Sequence, residues 1–180
     1  MRNCFLLIIL TLTSVVAFGQ EDTAAKQITE ALLPLPEQWR SSATVVLDAV
    51  PGKRRVLRKG TNNIICRANT TAPGFKVYCY QREMDAFWTR LEELTLQGKS
   101  SDEIRDMLGA EATSGKLKSL TGVTVYTMSG DSPESSLPLM AIFLPYASSE
   151  STGLSTERNH YRPWLMWAGT PFAHVMIPGK

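Results

Sequence analysis

Apolar residues recur with helical spacing in the middle of the chain. The positions follow the i, i+3, i+4, i+7 rule that marks one buried face of an α-helix. The stripe consists of Met84, Phe87, Trp88, Leu91 and Leu94. Gly98 follows as a stop signal, since glycine readily adopts the left-handed conformation that ends helices. The spacing therefore predicts an amphipathic helix over residues 83–97.

A second helix is predicted directly after the first one. Ser100 or Ser101 can cap its amino terminus, and acidic residues follow in its first turn, where they favour the helix dipole. The apolar spacing continues over 101–108, and we expect Gly109 to end the helix. A shorter helical pattern covers 22–33, which makes two or three helices in all.

Most of the remaining apolar segments have the composition of β-strands. They are rich in β-branched residues and are separated by Pro, Gly, Asn and Ser. The strand candidates are 43–50, 54–58, 63–67, 75–80, 122–128 and 137–146. The first four are expected to form an antiparallel meander. The pattern predicts an α+β fold, a single domain with a mainly antiparallel sheet of about six strands and the helices packed on one of its faces.

The amino terminus has the pattern of an export signal. Arg2 precedes an apolar run from Cys4 to Phe18, and Ala17 and Gly19 are small residues at the expected cleavage point. The run is shorter than the roughly 20 apolar residues of a membrane span. We therefore predict a signal peptide at 1–19, a single secreted α+β domain at 20–180, a secreted or periplasmic location and no transmembrane segment after cleavage.

Charge composition argues against nucleic acid as a partner. The 180 residues contain 19 Lys and Arg against 17 Asp and Glu, whereas a nucleic-acid binder needs a clustered basic surface. The densest basic run, 53–59, is interpreted as a solvated strand and turn, with binding of an anion or a surface as the alternative.

Cys66 and Cys79 are the only cysteines outside the predicted signal. In an exported chain, two cysteines are most simply joined in a disulfide. The residues 69–74 between them favour a turn, and closing a loop of about 14 residues contributes roughly 3 kcal/mol in the chain-entropy model. Two free thiols or a thiol metal site remain the alternatives, although no CxxC motif supports the second.

Two histidines offer the main candidates for catalysis, His160 and His174. A Ser/His/Asp triad would need His174 to meet the Ser-rich loop at 129–136. The chain lacks the Gly-x-Ser-x-Gly turn of serine hydrolases, so the sequence gives this arrangement no positive support.

A C-terminal hairpin suggests a different site. If 169–171 is a three-residue loop, Met166 lies opposite His174 and Trp164 lies opposite Met176, all on one face of the sheet. Thioether and imidazole ligands suit a soft ion such as Cu(I), the one metal cofactor that the sequence suggests. Core packing is the commoner role of Met and Trp at strand spacing, and an organic ligand or partner surface is the third alternative.

The chain also resembles a group of uncharacterised secreted bacterial proteins. The motifs that carry the resemblance are 57–62 (LRKGTN), Cys66, Cys79, an acidic-aromatic helix with Trp88, and 171–177 (PFAHVMI). The resemblance covers roughly 40–95 and 160–178. It implies bacterial export and a single domain, and it carries no established activity.

These observations predict an exported, non-enzymatic binding or envelope-associated domain, whose partner is a small ligand or another envelope component. One alternative is a small secreted hydrolase that uses His174 or His160. The other is a soft-metal (Cu) binding protein that uses Met166, His174 and Met176.

Overall fold

The computed structural model describes the backbone of residues 15–50, 53–68 and 74–179, and side chains from residue 23 onward outside 49–52, 69–73 and 180. The predicted α+β class is confirmed by one eight-stranded sheet and several helices. Most of the predicted export signal, residues 1–14, lies outside this part of the chain. None of the described helices is long and apolar enough to cross a bilayer.

The structure contains five α-helices and eight strands in its described part. The helices are α1 (Val15–Ala31), α2 (Glu37–Arg40), α3 (Asp85–Leu96), α4 (Ser101–Thr113) and α5 (Ser149–Thr152), with a 3-10 turn at Arg82–Met84. The strands are β1 (Thr44–Val50), β2 (Lys53–Arg58), β3 (Ile64–Arg67), β4 (Phe75–Gln81), β5 (Thr124–Gly130), β6 (Leu137–Phe143), β7 (Trp164–Met166) and β8 (His174–Pro178).

The strand order is β2-β1-β3-β4-β5-β6-β8-β7. All neighbours are antiparallel except β1 and β3, which are parallel. The predicted meander is therefore wrong at its start, because β1 lies between β2 and β3. The C-terminal hairpin adds β7 and β8 to the six predicted strands.

The parallel pairing depends on a crossover after β2. The amides of Thr61 and Asn62 donate to the carbonyl of Ser42, at 2.8 and 3.0 Å, and hold the crossover against the beginning of β1. A Cβ atom on Gly60 would lie 2.3 Å from that carbonyl oxygen. Glycine is therefore the residue that lets the chain pass to the other side of β1.

Helix α4 starts as predicted and ends later than predicted. Ser100 and Glu103 form a reciprocal capping box at its amino terminus. The helix continues past Gly109 to Thr113, and the left-handed residue that follows it is Gly115, with φ of 79°. A helical glycine costs only about 1 kcal/mol relative to alanine, so Gly109 alone does not end the helix.

Each face of the sheet is covered by different helices. Helices α3 and α4 cover one face, as predicted, and helix α1 packs on the other. The buried residues on the α3 face include Val46, Ile65, Tyr80, Phe87, Leu94, Leu108, Val125, Ala141, Phe143 and Phe172. The buried residues on the α1 face include Ala31, Leu32, Leu35, Val45, Leu47, Cys66 and Cys79. The period of two along each strand divides the core in this way.

The predicted disulfide is confirmed. Cys66 and Cys79 are directly opposite in the β3–β4 pairing, with Cα atoms 4.0 Å apart. Both cysteines are fully buried against α1. The bond therefore joins two neighbouring strands, β3 and β4, on the α1 face of the sheet, although residues 69–73 of the loop that it closes lie outside the described part.

The basic run at 53–59 is less solvated than predicted. Arg54 is half-buried and forms ion pairs with Asp48 and Asp85, at 3.1 and 2.7 Å. Arg58 donates to the backbone carbonyls of Arg40 and Ala43. These two side chains secure the β2 edge of the sheet. The other basic residues of the run, Lys53, Arg55 and Lys59, are exposed as expected.

Candidate functional site

The C-terminal hairpin has the register that the sequence predicted. Met166 is paired with His174 and Trp164 with Met176 across β7 and β8. On its other side, β8 pairs with β6, which places Phe143 opposite His174. His174 therefore lies on a strand that is flanked by neighbours on both sides. Its side chain is on the face of the sheet that α3 covers.

The turn between β7 and β8 is longer than the predicted 169–171 loop, and it holds an aromatic residue in an unusual conformation. Trp167 has a φ of 54°, in a region that bulky side chains seldom adopt. The turn is anchored by the amide of Gly169, which donates to the carbonyl of Ala147 at 2.8 Å, and by the amide of Tyr146, which donates to Thr170 at 2.8 Å. Such strain is maintained only where surrounding contacts enforce it, and it is concentrated at functional sites.

A cavity of about 360 Å³ lies between α3 and the strands β4 to β8. Its walls are aromatic, aliphatic and thioether groups with a few polar atoms, and none of the lining residues is acidic. The lining residues are Lys76, Tyr78, Met84, Phe87, Trp88, Leu91, Val125, Thr127, Ala141, Phe143, Met166, Trp167, His174 and Met176. The size and lining are those of a small-molecule site.

His174 is held in a defined tautomer at one end of this cavity. Its Nδ1 lies 2.8 Å from the carbonyl oxygen of Phe172. Because a carbonyl can only accept, Nδ1 carries the proton and Nε2 carries the free electron pair. The ring stacks on Phe143 at 4.8 Å and contacts Trp167 at 5.4 Å between centroids.

The electrostatics of His174 favour the neutral ring. Burial lowers the pKa of His174, and the contact with the Phe172 carbonyl only partly opposes that effect. Nε2 has no hydrogen-bond partner in the described part of the chain. It is not one of the fully buried polar atoms without a partner, so this nitrogen is not completely buried. It is therefore an unprotonated acceptor with some exposed surface, on a ring that lines the cavity.

Three of the four residues predicted at this site line the cavity. Met166 is at the rim, with 37% of its surface exposed, and Met176 is half-buried beside His174. Trp164 is buried but does not contribute to the cavity wall. Trp167 lines the wall instead, and the strand alternation used for the prediction missed it because Trp167 lies beyond the end of β7 in the left-handed conformation.

The opposite end of the cavity is formed by β4 and the middle of α3. Tyr78 stacks on Trp88, with ring centroids 4.7 Å apart, and the Arg67 guanidinium lies 5.5 Å from the centroid of Tyr78. Burial raises the pKa of Tyr78, so the phenol stays protonated. Lys76 is exposed at this end and forms no ion pair with any described residue.

A buried ionic network lies beside this end of the cavity. Arg67 is only 3% exposed and contacts both Asp48 and Glu92. Asp48 also pairs with Arg54, and Asp85 accepts from the Tyr80 hydroxyl at 2.8 Å. Each charged group in the network has a partner of opposite charge, as buried charges require, so we interpret the network as structural. Its members come from β1 to β4 and α3, which is why sequence spacing did not reveal it.

The residues of the predicted hydrolase are not brought together. His160 is exposed on the loop before β7. The Ser-rich loop at 129–136 joins β5 to β6, whereas His174 pairs with Phe143 at the far end of β6. Six residues of strand separate the two ends, roughly 20 Å at about 3.4 Å per residue. In the described structure, His174 makes no hydrogen bond to a hydroxyl or a carboxylate.

Comparison of the chain with protein-family models, with curated proteins and with solved structures finds no match. Within the described residues, no three His, Cys, Asp or Glu side chains are grouped in a way that could hold a metal ion. The geometry and chemistry of the cavity are therefore the features of this chain that bear on its function.

Proposed function

We propose that the protein is a non-catalytic binding protein whose ligand is a small, mostly apolar molecule with an acidic group. The single observation that carries this proposal is the composition of the cavity. Aromatic and aliphatic walls can bury the apolar body of such a ligand. The cavity has no carboxylate, and its one charged residue is Lys76, which has no ionic partner among the described residues.

The polar atoms of the cavity determine the orientation of the ligand. An acidic group near Lys76 gains a favourable charge interaction, while the apolar body extends over Tyr78 and Trp88 toward β8. Aromatic rings that stack or meet edge to face gain about 0.5–1.5 kcal/mol beyond the area that they bury. The arrangement therefore favours a planar or ring-containing ligand over a sugar or another strongly hydrated molecule.

Binding is proposed without catalysis because of the surroundings of His174. Its ring is tied to a backbone carbonyl, not to a carboxylate that would support it as a general base. A catalytic nucleophile in hydrogen-bond contact with that ring would be needed for the hydrolase alternative.

We also propose that the chain is exported and acts in a bacterial envelope or outside the cell. The Cys66–Cys79 disulfide supports this location, because such bonds persist in oxidising compartments and are rare in the cytosol. Expression in a bacterium, followed by mass measurement of the exported protein, tests the location and the removal of residues 1–19. A chain retained in the cytoplasm with reduced cysteines would contradict it.

Two naphthalene probes test the proposed ligand class. N-phenyl-1-naphthylamine is neutral, and 1-anilinonaphthalene-8-sulfonate carries a negative charge. Both should bind saturably, with increased probe fluorescence. Lys76→Gln should weaken sulfonate binding by about two- to fivefold, the effect of one exposed ion pair, and should leave the neutral probe unchanged.

Matched variants locate the probes. Lys53→Gln removes another exposed strand lysine, far from the cavity lining, and should bind both probes as the wild type does. Ala141→Leu adds volume inside the cavity and should weaken both probes. If an Ala141→Leu protein with wild-type circular dichroism binds both probes normally, the cavity is not the binding site. Equal effects of Lys76→Gln and Lys53→Gln on the sulfonate would contradict the acidic-ligand assignment.

A further inference from the structure

Three soft or borderline donor groups are grouped at the β7–β8 end of the cavity. Met166 and His174 are directly opposite each other in the antiparallel pairing, and Met176 is two residues beyond His174 on the same face. All three side chains line the cavity. The three residues lie on β7 and β8, whereas Lys76 lies on β4 of the same sheet. The group is therefore separate from the end of the cavity that is proposed to bind the acidic group.

The backbone positions allow the three side chains to meet at one point. Directly opposite residues have Cβ atoms about 4.5–5.5 Å apart, and a diagonal neighbour lies about 7–8 Å away at the Cα level. Methionine is unbranched with three rotatable bonds, so each thioether can turn toward the ring of His174. The strand register therefore allows both thioethers to approach the ring of His174.

His174 has the features of a prepared metal ligand. Metal-binding histidines commonly donate their second ring N–H to a backbone carbonyl or a carboxylate, which fixes the tautomer and the ring orientation. Here Nδ1–H donates to Phe172 at 2.8 Å, and Phe143 stacks on the ring at 4.8 Å. Nε2 is left unprotonated, in the form that a metal ion requires, on a ring that lines the cavity.

We propose that Met166, His174 and Met176 form a binding site for a monovalent soft metal ion, Cu(I). Thioether and imidazole ligands select soft ions, whereas hard divalent ions require oxygen ligands. The cavity lining contains no Asp, Glu or Cys, so this end offers nothing suited to Ca²⁺, Mg²⁺ or a thiolate-bound Zn²⁺. The two thioethers are neutral, so the bound ion keeps its single positive charge.

Trp167 provides an internal reporter for this site. Its ring centroid is 5.4 Å from that of His174, and its unusual backbone conformation holds it at the cavity wall. A metal ion on Nε2 would therefore quench its fluorescence. The other tryptophans, at 39, 88 and 164, do not share this contact with His174.

The test uses Ag(I) as a redox-stable probe in chloride-free buffer, followed by Cu(I) with ascorbate under nitrogen. We expect saturable binding of one ion with quenching of Trp167, and loss of that quenching in Trp167→Phe. In spectra of methionine labelled with ¹³C at the methyl group, the signals of Met166 and Met176 should shift. Met166→Leu and Met176→Leu should each weaken Ag(I) binding by at least about tenfold.

Met140→Leu is the matched control. Met140 pairs with Ile177 rather than Met176 and does not line the cavity, so this variant should bind Ag(I) as the wild type does. Wild-type affinity in the Met166→Leu, Met176→Leu double variant would overturn the proposal, as would the lack of saturable binding to the wild type. Neither result would affect the proposed organic ligand, because binding of the naphthalene probes is measured without metal.

Discussion

At the scale of single residues, His174 illustrates how a buried polar group is accommodated. It is 7% exposed and keeps one hydrogen bond, to the Phe172 carbonyl. The neutral ring satisfies this bond through Nδ1 and packs between the rings of Phe143 and Trp167. A protonated ring would bring a charge into the apolar cavity with no carboxylate in the lining to compensate it.

This arrangement predicts a specific dependence of stability on pH. Burial lowers the pKa of His174 in the folded state, so the unfolded chain, with a histidine pKa of about 6.5, takes up the proton more readily. The stabilising contribution is complete above about pH 6.5 and is lost as the pH falls toward the folded-state pKa. His174→Asn keeps a donor for Phe172 but cannot ionise. We therefore expect this variant to lose less free energy of unfolding than the wild type between pH 7.5 and 5.

Urea denaturation at several pH values measures the slope. His160→Asn replaces an exposed histidine and should retain the wild-type slope. If His174→Asn and the wild type lose the same free energy over this range, His174 is not the group responsible.

At the scale of elements, two glycines that look alike in the sequence have different roles. Gly60 passes so close to the beginning of β1 that a Cβ atom would lie within 2.4 Å of three backbone atoms. Gly109 lies inside α4, where an added Cβ atom would meet nothing within 4 Å. The first glycine is required by the crossover that creates the parallel β1–β3 pair, while the second only weakens a helix.

Alanine substitutions should therefore have opposite effects at these positions. Gly60→Ala should destabilise the protein by about 3–5 kcal/mol, because backbone atoms must move. Gly109→Ala should stabilise it by about 0.5–1 kcal/mol, the difference in helix propensity. Chemical denaturation monitored by circular dichroism measures both. A mild effect of Gly60→Ala would contradict the close approach of the crossover to β1.

At the scale of the whole molecule, the sheet separates the disulfide from the cavity. Cys66 and Cys79 belong to the core beneath α1. Tyr80, Val125 and Phe143 belong to the core beneath α3. The disulfide therefore stabilises the fold from the face opposite the cavity, and its removal should not change the shape of the binding site.

Replacing both cysteines, Cys66→Ala with Cys79→Ala, should cost about 3 kcal/mol, the chain-entropy value for a loop of about 14 residues. For a chain of this size, 1 kcal/mol corresponds to about 2–4 °C in Tm, so we expect Tm to fall by roughly 6–12 °C. Binding of N-phenyl-1-naphthylamine below the new transition should be unchanged. Unaltered melting would contradict the stabilising role, and weaker binding would contradict the separation of the two faces.

Local patterns in the sequence were sufficient to predict much of this protein. The helix stripe from Met84 to Leu94, the cap at Ser100 or Ser101 and the β7–β8 register follow from spacing over a few residues. The disulfide follows from the count of two cysteines outside the predicted signal. Spacing of this kind is set by the 3.6-residue helix and the two-residue strand, which act within one element or one hairpin.

Other features were decided only by the tertiary structure. The position of β1 between β2 and β3, the packing of α1 on the second face and the ionic network around Arg67 join residues that are distant in sequence. Trp167 lines the cavity in a left-handed conformation, within a turn that hydrogen bonds anchor to residues 144–147, and strand alternation cannot predict that conformation. The sequence alone determined the elements and the chemical groups available, while packing between distant elements decided which groups share the cavity.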